Sequence, residues 1–460
     1  MTGGDSKELI ADGLMVFERG TDQISSSRIL YVGEFSDSVL TMYPLAKFEN
    51  LHNHMLIPGM INCHTHSGMS LFRGFGDDMA LHEWLNECIF PVESHFVSPE
   101  FIELGTRLAI FEMLKTGTTT FVDQYYHCEV AAELAHSIGI RIACGEPIID
   151  LQDGQFGPKI DRAFAVTENL TQYPSEWVIP IINPHACYTV PRHGLEEIDE
   201  RRTEFRVNTH LHESREECLR FGNSHHGKSA MEILIECGLF GPNLIAAHCV
   251  CLSSAERQLL ATHRVNVVHC PKSNLKLSSG VCPVQALLDL GVNVALGTDG
   301  AASNNSLSMI SEMQVAALIG KTVAVVGNAP ADDEDLSPTS KSTGITLSGS
   351  PTAVSCHTVL RMATYNGAIA LGMDHLIGSL EVGKLADICA IDLSSPECLP
   401  IFDPVSALVY STGARVGHLW IGGEKKVDNG IVCVEIDESQ IANLVIRMKQ
   451  WINTKESDDA

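Results

Sequence analysis

The 460-residue chain carries 57 acidic against 31 basic side chains, a formal net charge of −26, with 45% hydrophobic and 19% charged residues. That balance argues against nucleic-acid partners, which need basic surface to displace counterions from phosphates. No apolar run approaches the roughly 18 residues that a membrane-spanning helix requires. The opening MTGGDSKELIADG has acids and glycines where a secretory signal needs a basic end and an apolar core, so a cytoplasmic protein is expected. Its fifteen cysteines are scattered singly, with no C-x-x-C pair. They read as buried reduced thiols, and thiolate zinc sites lack their usual signature.

In chain order, residues 8–55 show short strand patterns broken by Gly-, Asp- and Asn-containing turns. From Leu56 to Leu296 eight short Val/Ile-rich runs follow, each trailed by a helix-length segment. They are 57–63, 118–123, 139–144, 177–182, 205–210, 243–248, 264–270 and 291–299. One helix is fully legible: Ser98 caps it, Pro99 starts it, Phe101, Leu104, Leu108 and Phe111 repeat at spacing three or four, and Gly117 ends it. Strand–helix alternation in this number predicts an α/β fold, a (β/α)8 TIM-like barrel. Residues 328–352, polar, acidic and rich in Ser, Pro and Gly, predict a solvent-exposed, mobile insertion. Strand patterns resume over 379–435, and 438–454 reads as a final helix. The expected organisation is a barrel over 57–377, with 1–56 and 378–460 combining into a small β-sandwich plus the C-terminal helix.

In a parallel barrel, polar residues at the C-terminal ends of strands line the active site. Those ends hold His64 and His66, then His185, His210, His248, His269 and Asp299 on the first, fourth, fifth, sixth, seventh and eighth strands. Neutral imidazoles with a carboxylate suit one divalent metal, Zn2+ first, with Fe2+, Mn2+ or Co2+ admitted by the same donors. His64 and His66, two apart on extended chain, can both face the axis, and His210 and Asp299 arrive from the opposite side. Asp299 can accept a proton from bound water, and His248 can orient the hydroxide. Glu213, three residues after His210, either reaches the pocket to move a proton or is a helix-start acid of ESREE. His212 reads as structural or as part of the rim, and His225 and His226 as solvated. Trp84 and Glu93, on pattern alone, read as helix packing and surface charge.

The stretches PGMINCHTHSGMSLFRGFGDD, LHEWLNECIFPVE, NPHACYT, THLHESREE, AAHCV, HCPKSNLKLSSG, ALGTDGAASNN and MATYNGAIALGMDHLIGSLEVGKLADI occur in the order found in a known family. The chain resembles the amidohydrolase-superfamily 5′-methylthioadenosine/S-adenosylhomocysteine deaminases and the related triazine hydrolases over about residues 56–393. The resemblance implies one metal on His64, His66, His210 and Asp299, with Glu213 and His248 as proton-transfer residues, so Glu213 belongs to the pocket. It further implies that Glu93 holds ribose hydroxyls, His185 approaches the purine and Trp84 walls the pocket. The implied reaction is attack of metal-held hydroxide at C6 of an adenine-type nucleoside, with Glu213 protonating N1 and Asp299 assisting loss of ammonia. The product would be of inosine type. Hydrolysis of a triazine or another heterocycle is the runner-up, then guanine deamination; a silent scaffold would lack ligands that this chain retains. Three features depart from the pattern: Ala186-Cys187 in NPHACYT, Cys251 in HCVCL, and no clear match to the arginines that hold a homocysteine carboxylate, for which Lys159 and Arg162 are the nearest candidates. The expected partner is a small nucleoside, with homo-oligomerisation left open.

Overall fold

The computed structural model describes residues 9–18, 27–150, 156–323 and 349–458. Strands β1 (Gly13–Phe17) and β2 (Ile29–Glu34) form an antiparallel pair, and β3 (His54–Pro58) leads to the barrel. The barrel strands are β4 (Met60–Thr65), β5 (Thr118–Asp123), β6 (Arg141–Cys144), β8 (Val178–Pro184), β9 (Arg206–Leu211), β10 (Leu244–His248), β11 (Asn266–His269) and β12 (Asn293–Leu296), with the short β7 (Pro147–Ile148) set against β8. The chain then forms β13 (Ile388–Asp392), β14 (Arg415–Ile421), β15 (Glu424–Asp428) and β16 (Ile431–Val432).

Eight parallel strands therefore run in the order β4-β5-β6-β8-β9-β10-β11-β12. β4, β5, β6 and β10 are buried along their whole length, which is why they read as continuous apolar runs and not as alternating ones. The ring is drawn shut between β12 and β4. The amide of Asp299 donates to the carbonyl of His64 at 2.9 Å, that of Thr298 to Asn62 Oδ1 at 2.9 Å, and Asn62 Nδ2 to Thr298 Oγ1 at 2.8 Å. Gly297 lets this seam close, since a Cβ there would lie 2.8 Å from the His64 backbone nitrogen.

The first expected strand, 57–63, divides at Gly59. β3 joins an antiparallel sheet with β13, β14, β15 and β16, while β4 opens the barrel. The Gly59 amide donates to the carbonyl of Asp387, the Met60 amide to that of Gly117, so the backbone changes sheets within one residue. A Cβ at Gly59 would fall 2.3 Å from the Thr119 side chain; apolarity alone could not mark that break. β3 thus shares one sheet with the C-terminal strands, apart from the β1–β2 pair, and that sheet is docked on the barrel by Arg141. Its guanidinium is fully buried, bonds Asp387 and lies 4.6 Å over the Trp177 ring.

Gln-free helices such as Cys128–Ile138 and longer ones such as Pro99–Lys115 and Phe156–Leu170 cover the outside. Ser98 caps the second of these through the Phe101 amide. The chain closes on the helix Glu438–Asp458. No helix among the described residues is long and apolar enough to cross a membrane. All fifteen cysteines are free thiols and most are buried. Of the expected insertion 328–352, residues 328–348 lie outside the described residues.

Candidate active site

The C-terminal ends of β4, β9, β10 and β12 deliver five donors to one point. Donor atoms of His64, His210, His248 and Asp299 lie within 4.8 Å of one another, and all four residues are buried. His66 completes the group: its Nε2 is 3.1 Å from Asp299 Oδ1 and 3.3 Å from His210 Nε2, while His64 Nε2 is 3.6 Å from the same Asp299 oxygen. Ligands at bond lengths near 2.1 Å in a tetrahedron are about 3.4 Å apart, so these spacings fit one divalent cation. The chemistry of the donors agrees. Both ring nitrogens of His64 are buried without a hydrogen-bond partner, an arrangement that costs stability unless another group satisfies them.

Neighbours fix which nitrogens face that point. His66 Nδ1 lies 2.7 Å from the Gln124 carbonyl, and His210 Nδ1 lies 2.7 Å from that of His185. Both rings therefore carry their proton on Nδ1 and turn Nε2 inward. Asp299 Oδ2 accepts from Ser273 Oγ at 2.6 Å and Ser303 Oγ at 2.9 Å, leaving Oδ1 toward the histidines. Backbone strain aims two of the donors, since His248 has φ 72° and Asp299 φ 63°, a region costly for residues with a side chain.

Burial, reinforced by neighbouring imidazoles, holds His64 and His210 well below their usual pKa, and His185 near 3. Neutral imidazole is the form that binds a metal. Burial also opposes charge on His66, but the Asp299 bond outweighs it and raises His66 to about 9. Asp299 is itself buried, yet His66 holds its carboxyl well below the usual range.

Beside the cluster, His248 Nε2 lies 3.7 Å from Glu213 Oε2, and His248 Nδ1 is 2.8 Å from Asn274 Oδ1. Glu213 Oε1 accepts from Ser279 Oγ at 3.3 Å. Burial pushes the Glu213 carboxyl up, partly offset by His248. Glu213 is not part of the next helix: Ser214 caps Arg215–Ser224, and Glu217 Oε2 accepts the Glu213 amide at 2.8 Å.

These groups open into one narrow cavity of about 60 Å³. Its opposite wall is the helical stretch Leu81–Phe96, whose middle, Trp84–Ile89, is a π turn. Trp84 and Glu93 are nine residues apart, which in an unbroken α-helix sets them on opposite faces, about 180° apart. The wider π turn absorbs part of that rotation, and both residues line the cavity, with Ile89 between them. Glu93 is 7% exposed and accepts from the Tyr125 hydroxyl at 2.6 Å. Burial raises its carboxyl to about 7, with Tyr125 opposing.

Residues 55–426 match the amidohydrolase family. The chain belongs to it. It is an enzyme of the class that hydrolyses carbon–nitrogen bonds. A relative from Teredinibacter turnerae named 5-methylthioadenosine/S-adenosylhomocysteine deaminase is 40% identical over 411 residues, 88% of this chain and 86% of that one. A 5′-deoxyadenosine deaminase from Methanosarcina acetivorans is 34% identical, covering 92% of this chain and 91% of its own. Among solved structures, an adenosine deaminase from Xanthomonas campestris with bound zinc superposes with a TM-score of 0.81 at 34% identity, over 94% and 93% of the two chains.

This amidohydrolase thus brings His64, His66, His210, His248, Asp299 and Glu213 to one centre, with Trp84, Glu93 and His185 lining the same cavity. His269 ends β11 but does not line it, and both its ring nitrogens are unpaired. His212 is buried, its Nδ1 3.5 Å from Glu256. Lys159 and Arg162 stand on Phe156–Leu170, outside the lining; Arg162 bonds Glu129 at 2.9 Å and Glu146 at 3.4 Å. The strand ends alone do not point to Ser273, Asn274, Ser279 and Gln124, which hydrogen-bond Asp299, His248, Glu213 and His66 respectively. The only sequence signal for the first three was polar residues inside KSNLKLSS, directly after a strand.

Proposed function

We propose that the protein hydrolytically removes the 6-amino group of an adenine-type nucleoside, releasing ammonia and an inosine-type product. The observation that carries this reading is Glu213, 3.7 Å from His248 of the buried His64/His210/His248/Asp299 cluster, with His66 set against Asp299 and His210, and in one cavity with Glu93. His64, His66, His210 and Asp299 would hold the metal, and the nitrogen-rich donor set favours Zn2+. When bound, such an ion lowers the pKa of water from 15.7 to about 7 and so supplies a nucleophile at neutral pH.

The chain's own groups do the rest. Asp299 takes the proton of the attacking water and delivers it to the departing amine, while His248, fixed by Asn274, orients that water. Glu213 donates to N1 of the ring, and burial favours the protonated form that this requires. Glu93 accepts from the ribose hydroxyls, His185 faces the purine edge, and Trp84 closes one side. The buried walls exclude competing water.

Ammonia release from 5′-methylthioadenosine, adenosine, guanine and an aminotriazine tests this. Turnover is expected for the adenosines. Metal-loaded enzyme that ignores both adenosines but releases ammonia from the triazine would replace the proposal with the heterocycle-hydrolase reading.

A further inference from the structure

Asp299 is held from behind by two serines. Ser273 and Ser303 both donate to its Oδ2, and their hydroxyls lie 3.0 Å apart. Ser273 stands on the helix Pro271–Lys276 after β11, and Ser303 on Ala301–Asn304 after β12. Helices of six and four residues have little stability of their own. The Asp299 carboxylate is therefore fixed only as well as those two segments are fixed against each other.

One side chain joins them. Glu312, on the helix Met309–Val323, is fully buried. Its Oε1 accepts from Asn304 Nδ2 at 2.7 Å, and its Oε2 from the Lys272 amide at 3.3 Å. Asn304 directly follows Ser303, and Lys272 directly precedes Ser273. Asn304 is itself pinned, because its amide group also donates to the Thr298 carbonyl at 2.6 Å. Glu312 thus grips each short helix one residue away from the serine that bonds Asp299.

The residue type matters here. Both partners are donors, so both ends of the side chain must accept. A glutamine of the same shape accepts at one end and turns an N–H toward an N–H at the other. Burial pushes the Glu312 carboxyl up to about 8, against the pull of Asn304 and Lys272. A buried acid carries a cost that an apolar residue packed in the same place would not.

We infer that Glu312 is a positioning residue of the metal centre, acting on Asp299 through Ser273 and Ser303. The inference rests on the reading of His64, His66, His210 and Asp299 as metal ligands, and is independent of which substrate the site takes.

The test measures Zn2+ affinity of the full chain by competition with a chelator, so it needs no turnover. Glu312→Gln should weaken Zn2+ binding by about 10- to 100-fold, the loss expected when support behind a ligand is removed. In a chain that already carries Ser273→Ala and Ser303→Ala, the same change should cost no more than about threefold, because the route to Asp299 is already cut. Asn304→Ala opens the same bridge from its other end and should weaken Zn2+ binding to a similar degree; it decides the matter if the Glu312 variant does not fold. Affinity within about threefold of wild type in the folded variants overturns the inference. So does an equal loss with and without the two serines, since Glu312 would then act by another route. A wild-type chain that binds no Zn2+ removes the metal reading itself, and this inference with it.

Discussion

His64, His210 and Asp299 stand at the ends of strands that the barrel holds from both sides, or directly beyond them. Trp84 and Glu93 stand on one helical stretch packed over the mouth, and they share a wall only because a π turn interrupts it. The first region is fixed by the closed sheet and needs sub-ångström placement, as metal ligation does. In the second, the π turn sets which residues face the cavity. On the proposed function the strand ends carry the reaction and the helical wall the substrate contacts, and variants on each side should fail differently.

The largest effect belongs to the strand-end cluster. Asp299→Ala removes a donor and a proton acceptor together, so elemental analysis should show the metal largely lost and turnover down at least about 10⁴-fold. Retained metal with near-normal rate would break the comparison at its root. Glu213→Gln, next in size, should lower kcat by about 10² to 10⁴ while metal content stays at wild type. A Glu213→Gln protein that also loses metal would place Glu213 in the ligand set, not in proton transfer.

Ser273→Ala probes the support behind the cluster. Its hydroxyl donates to Asp299 at 2.6 Å, and loss of such an outer contact weakens metal affinity by about 10- to 100-fold. Competition with a chelator measures this. The fully loaded variant should turn over close to wild type, and a large kcat defect in saturating metal would mean that Ser273 acts in the reaction itself.

The same contrast governs how much could be read in advance. The barrel was legible because eight buried parallel strands must be apolar, and the cluster because histidines recur where those strands stop. His64 and His66 needed only the two-residue period of extended chain. Glu213 was ambiguous from local pattern, since an acid before a helix is ordinary; what decides it is that Ser214, not Glu213, caps that helix. The π turn could not be read, because WLNECI has no residue that forbids an α-helix, and an α-helical wheel puts Glu93 away from Trp84. Nor could Gly59 be recognised as the change of sheet, since the constraint is the Thr119 side chain, 60 residues on.

The smallest expected effect lies on the wall and is read from pH. Glu93 titrates near 7, raised from 4.5 by burial, and the Tyr125 hydroxyl at 2.6 Å opposes that rise by favouring the carboxylate. A ribose-binding Glu93 must be ionised to accept two hydroxyl bonds, so kcat/KM should fall on the acid side of about pH 7. Tyr125→Phe deletes the bond that favours ionisation, so the limb should move to higher pH, by about one unit, with rates converging on wild type at more alkaline pH. Linkage fixes the sign for stability as well. Because the folded pKa lies above the unfolded one, this group's contribution is fully present below about pH 4.5 and is lost as pH rises through 7. The variant, with a still higher folded pKa, extends that loss toward alkaline pH. A limb that stays in place in Tyr125→Phe would assign the titration to a group at the strand ends, and the proposed division between a strand-end reaction centre and a substrate-binding wall would lose its clearest signature.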